Sequence, residues 1–432
     1  MTVGVEPRPA GEARRVAVAS AIGTTVEWYD FFIYGTAAAT VFRPLFFPQI
    51  SPAAGTLASF AAFGIGFIAR PMGGIVMGHF GDRIGRKSML VWSLIVMGVS
   101  TFAIGLLPGY AQIGVWAPAL LIACRFTQGF ALGGEWGGAV LMSIEHAPPE
   151  RRGFYGSVVA LGLPIGIILS NLVFLTAALL ADPTEFRAWG WRIPFLASAA
   201  LVIVGLFIRV RLAESPVFRE VLRTGSARRM PVLDVLRNSP RAVLLAAGSY
   251  TGISTLGYIV LVYYVSYATG VLRLPLPTVL ALLLGAAVCF AAAVVLFARW
   301  SDRVGRRKVM IWGNGALVVW SALFFPLLDT RSIPVIAIAL CVMLALQGAY
   351  IGTQPAVFAE LFPPNVRYSG ASLSNTLGTI LGGAPAPFVA AWIYNTTGSS
   401  NAVGAYITAL AAVSLVSVVM LGETHRASQK ET

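Results

Sequence analysis

Charge is what this 432-residue chain has least of: Asp, Glu, Lys and Arg make up 11% of it, against 57% hydrophobic residues. A water-soluble globule carries roughly 25% charged residues, so that class is excluded. Histidine and cysteine are also scarce, at three each. Cys124, Cys289 and Cys341 stand singly in apolar segments, which rules out a disulfide framework and gives no metal-ligand spacing. The dispersed histidines leave no convergent nucleophile or metal set, so an enzyme is not expected. Gly-x-x-x-x-Gly-Lys-Ser/Thr is absent, so nothing points to an ATP-driven pump. No cleavable leader is expected either, because Met1 to Arg15 is polar and proline-containing and the first apolar segment is long and carries acids.

What fills the chain instead is long apolar runs, at a mean hydropathy of +0.78. Each bilayer crossing needs about 20 such residues, whereas a membrane strand alternates over about 9–11, so the pattern is that of an all-α membrane protein rather than a barrel. Spans are expected at 16–41, 56–79, 88–108, 115–142, 154–180, 190–209, 242–268, 276–299, 308–328, 333–358, 368–394 and 403–422, twelve in all. The 45 glycines and 25 prolines suit membrane helices, which tolerate both and use glycine for close packing.

The formal net charge of +13 would point to nucleic acid in a soluble protein, but its distribution gives another meaning. Between the sixth and seventh spans lie Arg209, Arg211, Arg219, Arg223, Arg228, Arg229, Arg237 and Arg241, while loops on the opposite side hold little beyond Arg43, Arg187, Arg273 and Arg331. The positive-inside rule therefore places both termini in the cytoplasm. The expected organisation is a cytoplasmic tail at 1–15, a six-helix bundle at 16–209, a cytoplasmic linker at 210–241, a second six-helix bundle at 242–422 and a tail at 423–432. Ser215-Pro216 and Met230-Pro231 would break the linker into short pieces.

A repeat supports the division. Gly81-Asp82-Arg83-Ile84-Gly85-Arg86-Lys87 recurs as Ser301-Asp302-Arg303-Val304-Gly305-Arg306-Arg307 about half a chain later. A second pair places Gln128-Gly129 before Glu145 and Arg152, and Gln347-Gly348 before Glu360 and Arg367. These loops read as gating elements, with Asp302 the second-half copy of Asp82: Asp82 can accept hydrogen bonds from a helix N-terminus or an arginine, while Arg83, Arg86, Arg303 and Arg306 bridge neighbouring helix ends.

At these residues the chain resembles the major facilitator superfamily, whose signature between its second and third helices the Asp82 segment matches. Glu27-Trp28-Tyr29-Asp30-Phe31-Phe32-Ile33-Tyr34-Gly35, Ala69-Arg70-Pro71-Met72-Gly73, Gly133-Gly134-Glu135-Trp136-Gly137-Gly138, Trp189-Gly190-Trp191-Arg192-Ile193-Pro194-Phe195 and Glu214-Ser215-Pro216 are similar to its metabolite:proton symporter subgroup. That subgroup includes carriers of shikimate, 2-oxoglutarate, citrate, proline and betaine. The resemblance implies the major facilitator fold, with two pseudo-symmetric bundles, and uptake driven by proton entry.

An ionised side chain at the membrane centre costs about 2.5–3.5 kcal/mol on insertion scales, so each one needs a reason. Glu27 and Asp30 lie three apart on one helical face, with Tyr34 a turn further on. Two nearby acids in a low dielectric need not both be charged, which suits reversible proton binding; a structural cap or ion pair is the other reading. Arg125, with Gln128 beside it, must pair with a carboxylate, bind an anionic substrate, or alternate between them. Glu135 is placed for proton transfer or for a polar contact between closely packed helices. Asn171, near Pro164, offers neutral hydrogen bonding at a kink. In the second half Tyr250, Tyr258, Tyr263, Tyr264, Gln347, Tyr350, Gln354 and Asn375 supply amides and aromatic walls, with Gln347 and Gln354 on one face. Arg70 reads as part of a helix network rather than a substrate contact, and His79 as an ordinary edge residue.

The expectation is a proton-coupled symporter importing a small polar organic acid by alternating access, with a zwitterionic solute such as proline or betaine as the alternative. Asp30, Glu27 and Glu135 would carry the proton; Arg125, Gln128, Tyr34, Asn171, Tyr250, Gln347, Gln354 and Asn375 would bind the substrate. No cofactor is expected beyond the proton as coupling ion, and no metal. Expected partners are the small molecule, anionic or zwitterionic, and membrane lipid, with no nucleic acid; the protein is expected to work as a monomer in the inner membrane of a bacterium.

Overall fold

The computed structural model describes residues 10–84, 86–133, 140, 143–144, 151–211, 231–363 and 366–423. Among them every element is helical. The long helices are α1 (Ala10–Thr40), α2 (Pro52–Ile84), α3 (Arg86–Leu106), α4 (Trp116–Ala131), α5 (Arg152–Leu180) and α6 (Ile193–Arg211). After the undescribed 212–230 come α7 (Pro240–Gly270), α8 (Leu276–Val304), α9 (Arg306–Asp329), α10 (Ile333–Leu361), α11 (Arg367–Thr397) and α12 (Ser400–Met420). Nine of the described segments, those of α2 and α5 to α12, are long and apolar enough to cross a membrane. The other expected spans coincide with α1, which carries Glu27 and Asp30, with α3, whose apolar part is Val91–Leu106, and with α4, a helix of 16 residues.

Helix ends depart from the expected spans in an informative way. Residues 10–15, expected as tail, are the first turns of α1, where Ala10, Glu12, Ala13, Arg14 and Arg15 are all good helix formers. The repeated motif is not a loop. Asp302 and Arg303 belong to the last turn of α8, Arg306 opens α9, and only Gly305 separates them. Gly305 has φ = 100°, a conformation open to a residue without Cβ, so the chain reverses within one residue. In the first copy α2 likewise runs to Ile84 and α3 starts at Arg86. Pro164 acts upstream of itself: α5 is interrupted at Leu161, next to Ala160, whose carbonyl a proline ring four residues on cannot bond. In the segment expected as linker, the described residues Pro231–Asn238 are helical, and Val235 packs with Val243 and Phe362.

The packing falls into two groups with one pattern. α2 packs on α4, α3 on α4 and α6, and α1 on α5 and α6; α8 packs on α10, α9 on α10 and α12, and α7 on α11 and α12. Glycines set the closest approaches. At Gly129 an added Cβ would overlap the carbonyl of Gly66, and at Gly66 it would come within 2.8 Å of Arg125 Nε, so these two positions let α2 and α4 touch backbone to backbone with the guanidinium lying alongside. The groups meet through α1 with α7, α2 with α11, and α5 with α8 and α10. The polar side chains described next lie in and beside that seam.

Candidate functional site

Helix α1 runs through the seam and carries Glu27, Asp30, Phe31 and Tyr34, all buried. The two acids part company. Glu27 forms an ion pair with Arg70 of α2 at 3.7 Å. Asp30, 2% exposed, accepts a 2.8 Å hydrogen bond on Oδ2 from Thr101 Oγ1 of α3, while its Oδ1 has no partner. The 60° that separates positions three apart on a helix is enough to turn one acid to α2 and the other to α3.

Arg125 of α4 is 1% exposed, and among the described residues no carboxylate lies within ion-pair distance of it. Its Nε donates to the Phe63 carbonyl at 3.3 Å and its Nη1 to Gln128 Oε1 at 3.3 Å, while Nη2 donates to nothing. Aromatic faces surround the cation: its central carbon is 4.2 Å from the ring centre of Phe31, 4.5 Å from Tyr34 and 4.9 Å from Phe63. Gln128 continues the chain, its Nε2 donating to Thr101 Oγ1 at 2.7 Å. Asp30 and Arg125 are therefore joined through Thr101 and Gln128 rather than directly.

Phe31 is also where the two groups of helices meet. Arg70 lies 5.2 Å from its ring centre, and Tyr258 of α7 packs on Phe31, Phe63 and Phe67 at 5.6, 5.7 and 5.2 Å. The hydroxyls of Tyr258 and Tyr34 are buried without partners. The other second-half candidates form separate pairs. Gln354 donates to Asn375 Oδ1 at 3.0 Å, and Tyr250 stacks on Tyr350, which shares a 2.7 Å hydrogen bond with Ser249. Gln347 is buried with its Oε1 toward Gly257 and its Nε2 unpartnered. Asn171 bonds back to the Ile167 carbonyl at 2.9 Å, leaving its Oδ1 without a partner. Glu135 lies outside the described residues.

A second cluster sits at the end of the seam that bears the repeat. Asp302 accepts from the backbone N–H of Gly153 and of Phe154 in the first turn of α5, each at 3.0 Å, and from Arg306 Nη1 at 3.1 Å. Arg306, 1% exposed, holds Glu360 of α10 in a bidentate pair at 2.7 Å on each arm. One carboxylate thus caps a helix of the other group, where the free N–H groups and the positive end of the helix dipole favour an anion. Arg303 is exposed and stands apart from this cluster. The side chains of Asp82, Arg83 and Arg86 lie outside the described part of the chain.

Sequence reasoning missed Thr101, Phe31, Phe63 and Phe67. Threonine in a membrane helix usually bonds its own backbone four residues back, and Thr101 does so to Met97 at 2.9 Å, so nothing in the sequence distinguishes it. Phe31 had a signal in its position next to Asp30. The Trp189 to Phe195 motif is a packing device: Trp191 sits against Phe42, Phe46 and Phe195, and the Pro194 carbonyl accepts from Tyr29 Oη at 2.8 Å.

The chain matches the sequence profile of the Major Facilitator Superfamily over residues 20–387 and again over 272–432. It is 44% identical to the inner membrane metabolite transport protein YhjE of Escherichia coli (strain K12), across 98% of this chain and 97% of that protein. It is 40% identical to the shikimate transporter of the same organism, across 96% of each. Its fold is similar to the partially occluded inward-open xylose transporter XylE from E. coli, with a TM-score of 0.75 and 16% identity over 96% of this chain and 99% of that one.

Proposed function

This chain belongs to the major facilitator superfamily of membrane transporters, and we propose that it imports a small polar organic acid together with a proton across a bacterial inner membrane. Twelve spans in two six-helix bundles, 16–209 and 242–422, with both termini and the 210–241 linker in the cytoplasm, rock about a central site that faces each side in turn. The observation that carries the substrate class is Arg125. Among the described residues it is a buried cation with one arm unpartnered and no carboxylate within ion-pair distance, which supports completion by a charge from outside the chain. A substrate carboxylate supplies that charge. Tyr34, Gln128, Asn171 and Gln347 stand ready with polar groups, and Tyr258 with Phe31 forms an aromatic wall. Tyr250, Gln354 and Asn375 complete the second bundle's contribution as the bundles move.

A zwitterion such as betaine also brings a carboxylate, but its quaternary ammonium needs open aromatic faces. Here guanidinium groups already lie over Phe31, Tyr34, Phe63 and Phe67, and they would repel it. This supports the acid. Asp30 carries the proton, with Glu27 and Glu135 as the other acids of the path. Asp302 and Arg306, with Asp82, Arg83 and Arg86 as the counterparts of the first copy, hold the cytoplasmic end closed between turnovers; Arg303 stands outside that latch.

The test is uptake into proteoliposomes under an imposed pH gradient, offering labelled shikimate, other carboxylates, proline and betaine. A carboxylate should be accumulated best, and Arg125→Gln should weaken its apparent affinity by roughly 10- to 100-fold, the worth of a hydrogen bond to a charged group. Uptake indifferent to the gradient would remove the coupling, and unchanged affinity in R125Q would remove Arg125 from the site.

A further inference from the structure

The acid and the cation of this site do not touch. Asp30 and Arg125 are bridged by three hydrogen bonds in series, through Thr101 and then Gln128. Thr101 is the unusual link. Its hydroxyl has a single hydrogen yet has two acceptors within reach, Asp30 Oδ2 at 2.8 Å and the Met97 carbonyl at 2.9 Å, and its oxygen also receives the Gln128 amide at 2.7 Å. The residue is fully buried.

We propose that Thr101 and Gln128 are positioning residues that transmit the protonation state of Asp30 to Arg125, a reading that rests on Asp30 as the proton site and Arg125 as the anion site. With the carboxylate charged, Thr101 donates its hydrogen to Oδ2. The electron density this leaves on Oγ1 makes it a strong acceptor for the Gln128 amide. Gln128 is drawn toward α3, and its Oε1 fixes Arg125 Nη1. When a proton adds to Oδ2, that oxygen becomes a donor facing Oγ1, and the threonine hydrogen turns to the Met97 carbonyl. No bond between heavy atoms is made or broken, and the only charge that changes is the proton gained. Oγ1 now accepts from both sides and holds Gln128 less tightly, which frees Nη1 to join the unpartnered Nη2 in a two-armed grip on a carboxylate. Proton binding thereby favours anion binding, and by linkage the anion favours the proton.

The charged and titratable groups around Asp30 are few. Arg125 of α4 acts on it electrostatically, Tyr29 on α1 itself lies within the field of its charge, and Glu27 is engaged with Arg70 of α2. Asn171 of α5 is neutral. Thr101 and Gln128 are therefore the only hydrogen-bonded route between acid and cation among the described residues.

The experiment needs no substrate, so its outcome stands apart from that of the uptake assay. Protein carrying 13C-labelled glutamine side chains is placed in lipid vesicles, and infrared difference spectra are recorded between high and low pH. The wild type should show a carboxyl band that Asp30→Asn abolishes, together with a shifted glutamine amide band that Gln128→Asn abolishes. Thr101→Val, which keeps shape and loses the hydroxyl, should keep the carboxyl band and lose the glutamine band; Thr101→Ser should restore both. Should T101V fail to fold, Thr101→Cys takes its place and should reduce the glutamine band by at least about half, since a thiol is a weak donor and acceptor. A glutamine band of wild-type size in T101V, or in T101C where that variant stands in, overturns the relay. So does a wild type in which the Asp30 band comes with no glutamine band, or in which no carboxyl band depends on Asp30. Failure of proton-driven uptake with the relay bands intact would instead sink the transport reading.

Discussion

Asp302→Ala is the perturbation whose consequence the structure sizes best. Asp302 belongs to α8, and its two backbone partners, Gly153 and Phe154, belong to α5 on the other side of the seam. Its third partner, Arg306, keeps its bidentate hold on Glu360 when Asp302 is removed, so the loss falls mainly on contacts between the two groups of helices. A hydrogen bond to a charged acceptor is worth about 1.5–3 kcal/mol net. The Asp302 side chain is 11% exposed, so the lower figure applies, and two such bonds give about 3 kcal/mol. At 1.4 kcal/mol per factor of ten, the ratio of open to closed states at this end should rise about 100-fold. A protein open here 1% of the time would become about half open. Asp302→Asn, which keeps one acceptor oxygen and loses the charge, should fall between. Spin labels at the exposed positions Arg151 and Lys308, one on each side of the seam, would report the populations by pulsed electron resonance. A distance distribution in D302A within a factor of two of the wild-type populations would refute the latch.

Asp30→Asn should abolish uphill accumulation, which a gradient of one pH unit sustains at up to about tenfold for one proton per substrate, while leaving exchange of substrate across the vesicle membrane; tenfold accumulation persisting in D30N would dismiss Asp30 as the carrier. Gly129→Ala should cost roughly 1–3 kcal/mol of stability, because the added methyl meets the Gly66 carbonyl, a backbone atom that cannot swing aside. Thermal unfolding in detergent at the wild-type temperature would contradict that account of the α2 and α4 contact.

The apolar runs and the basic segments sufficed to read an all-helical membrane protein from the chain, because hydropathy and charge act residue by residue and need no partner; that it is a transporter came from the resemblance carried by the duplicated Asp-Arg-x-Gly-Arg motif and its companions. The same holds for Asp30 and Arg125, which declare themselves by the cost of being charged in an apolar run. Pairing is another matter. Glu27 and Asp30 looked like a couple from their spacing, yet the structure gives one to Arg70 and the other to Thr101. Asp302 was legible as the second copy of Asp82 in a gating motif, but that its donors are Gly153 and Phe154, far away in the chain and on a helix of the other group, follows only from how α5 and α8 pack. The motif looked like a loop and proved to be two helix ends hinged on Gly305. Sequence fixes which side chains cannot tolerate lipid; tertiary structure decides which of them meet, since a hydrogen bond depends on distances of about 3 Å that are set by helix rotation and depth.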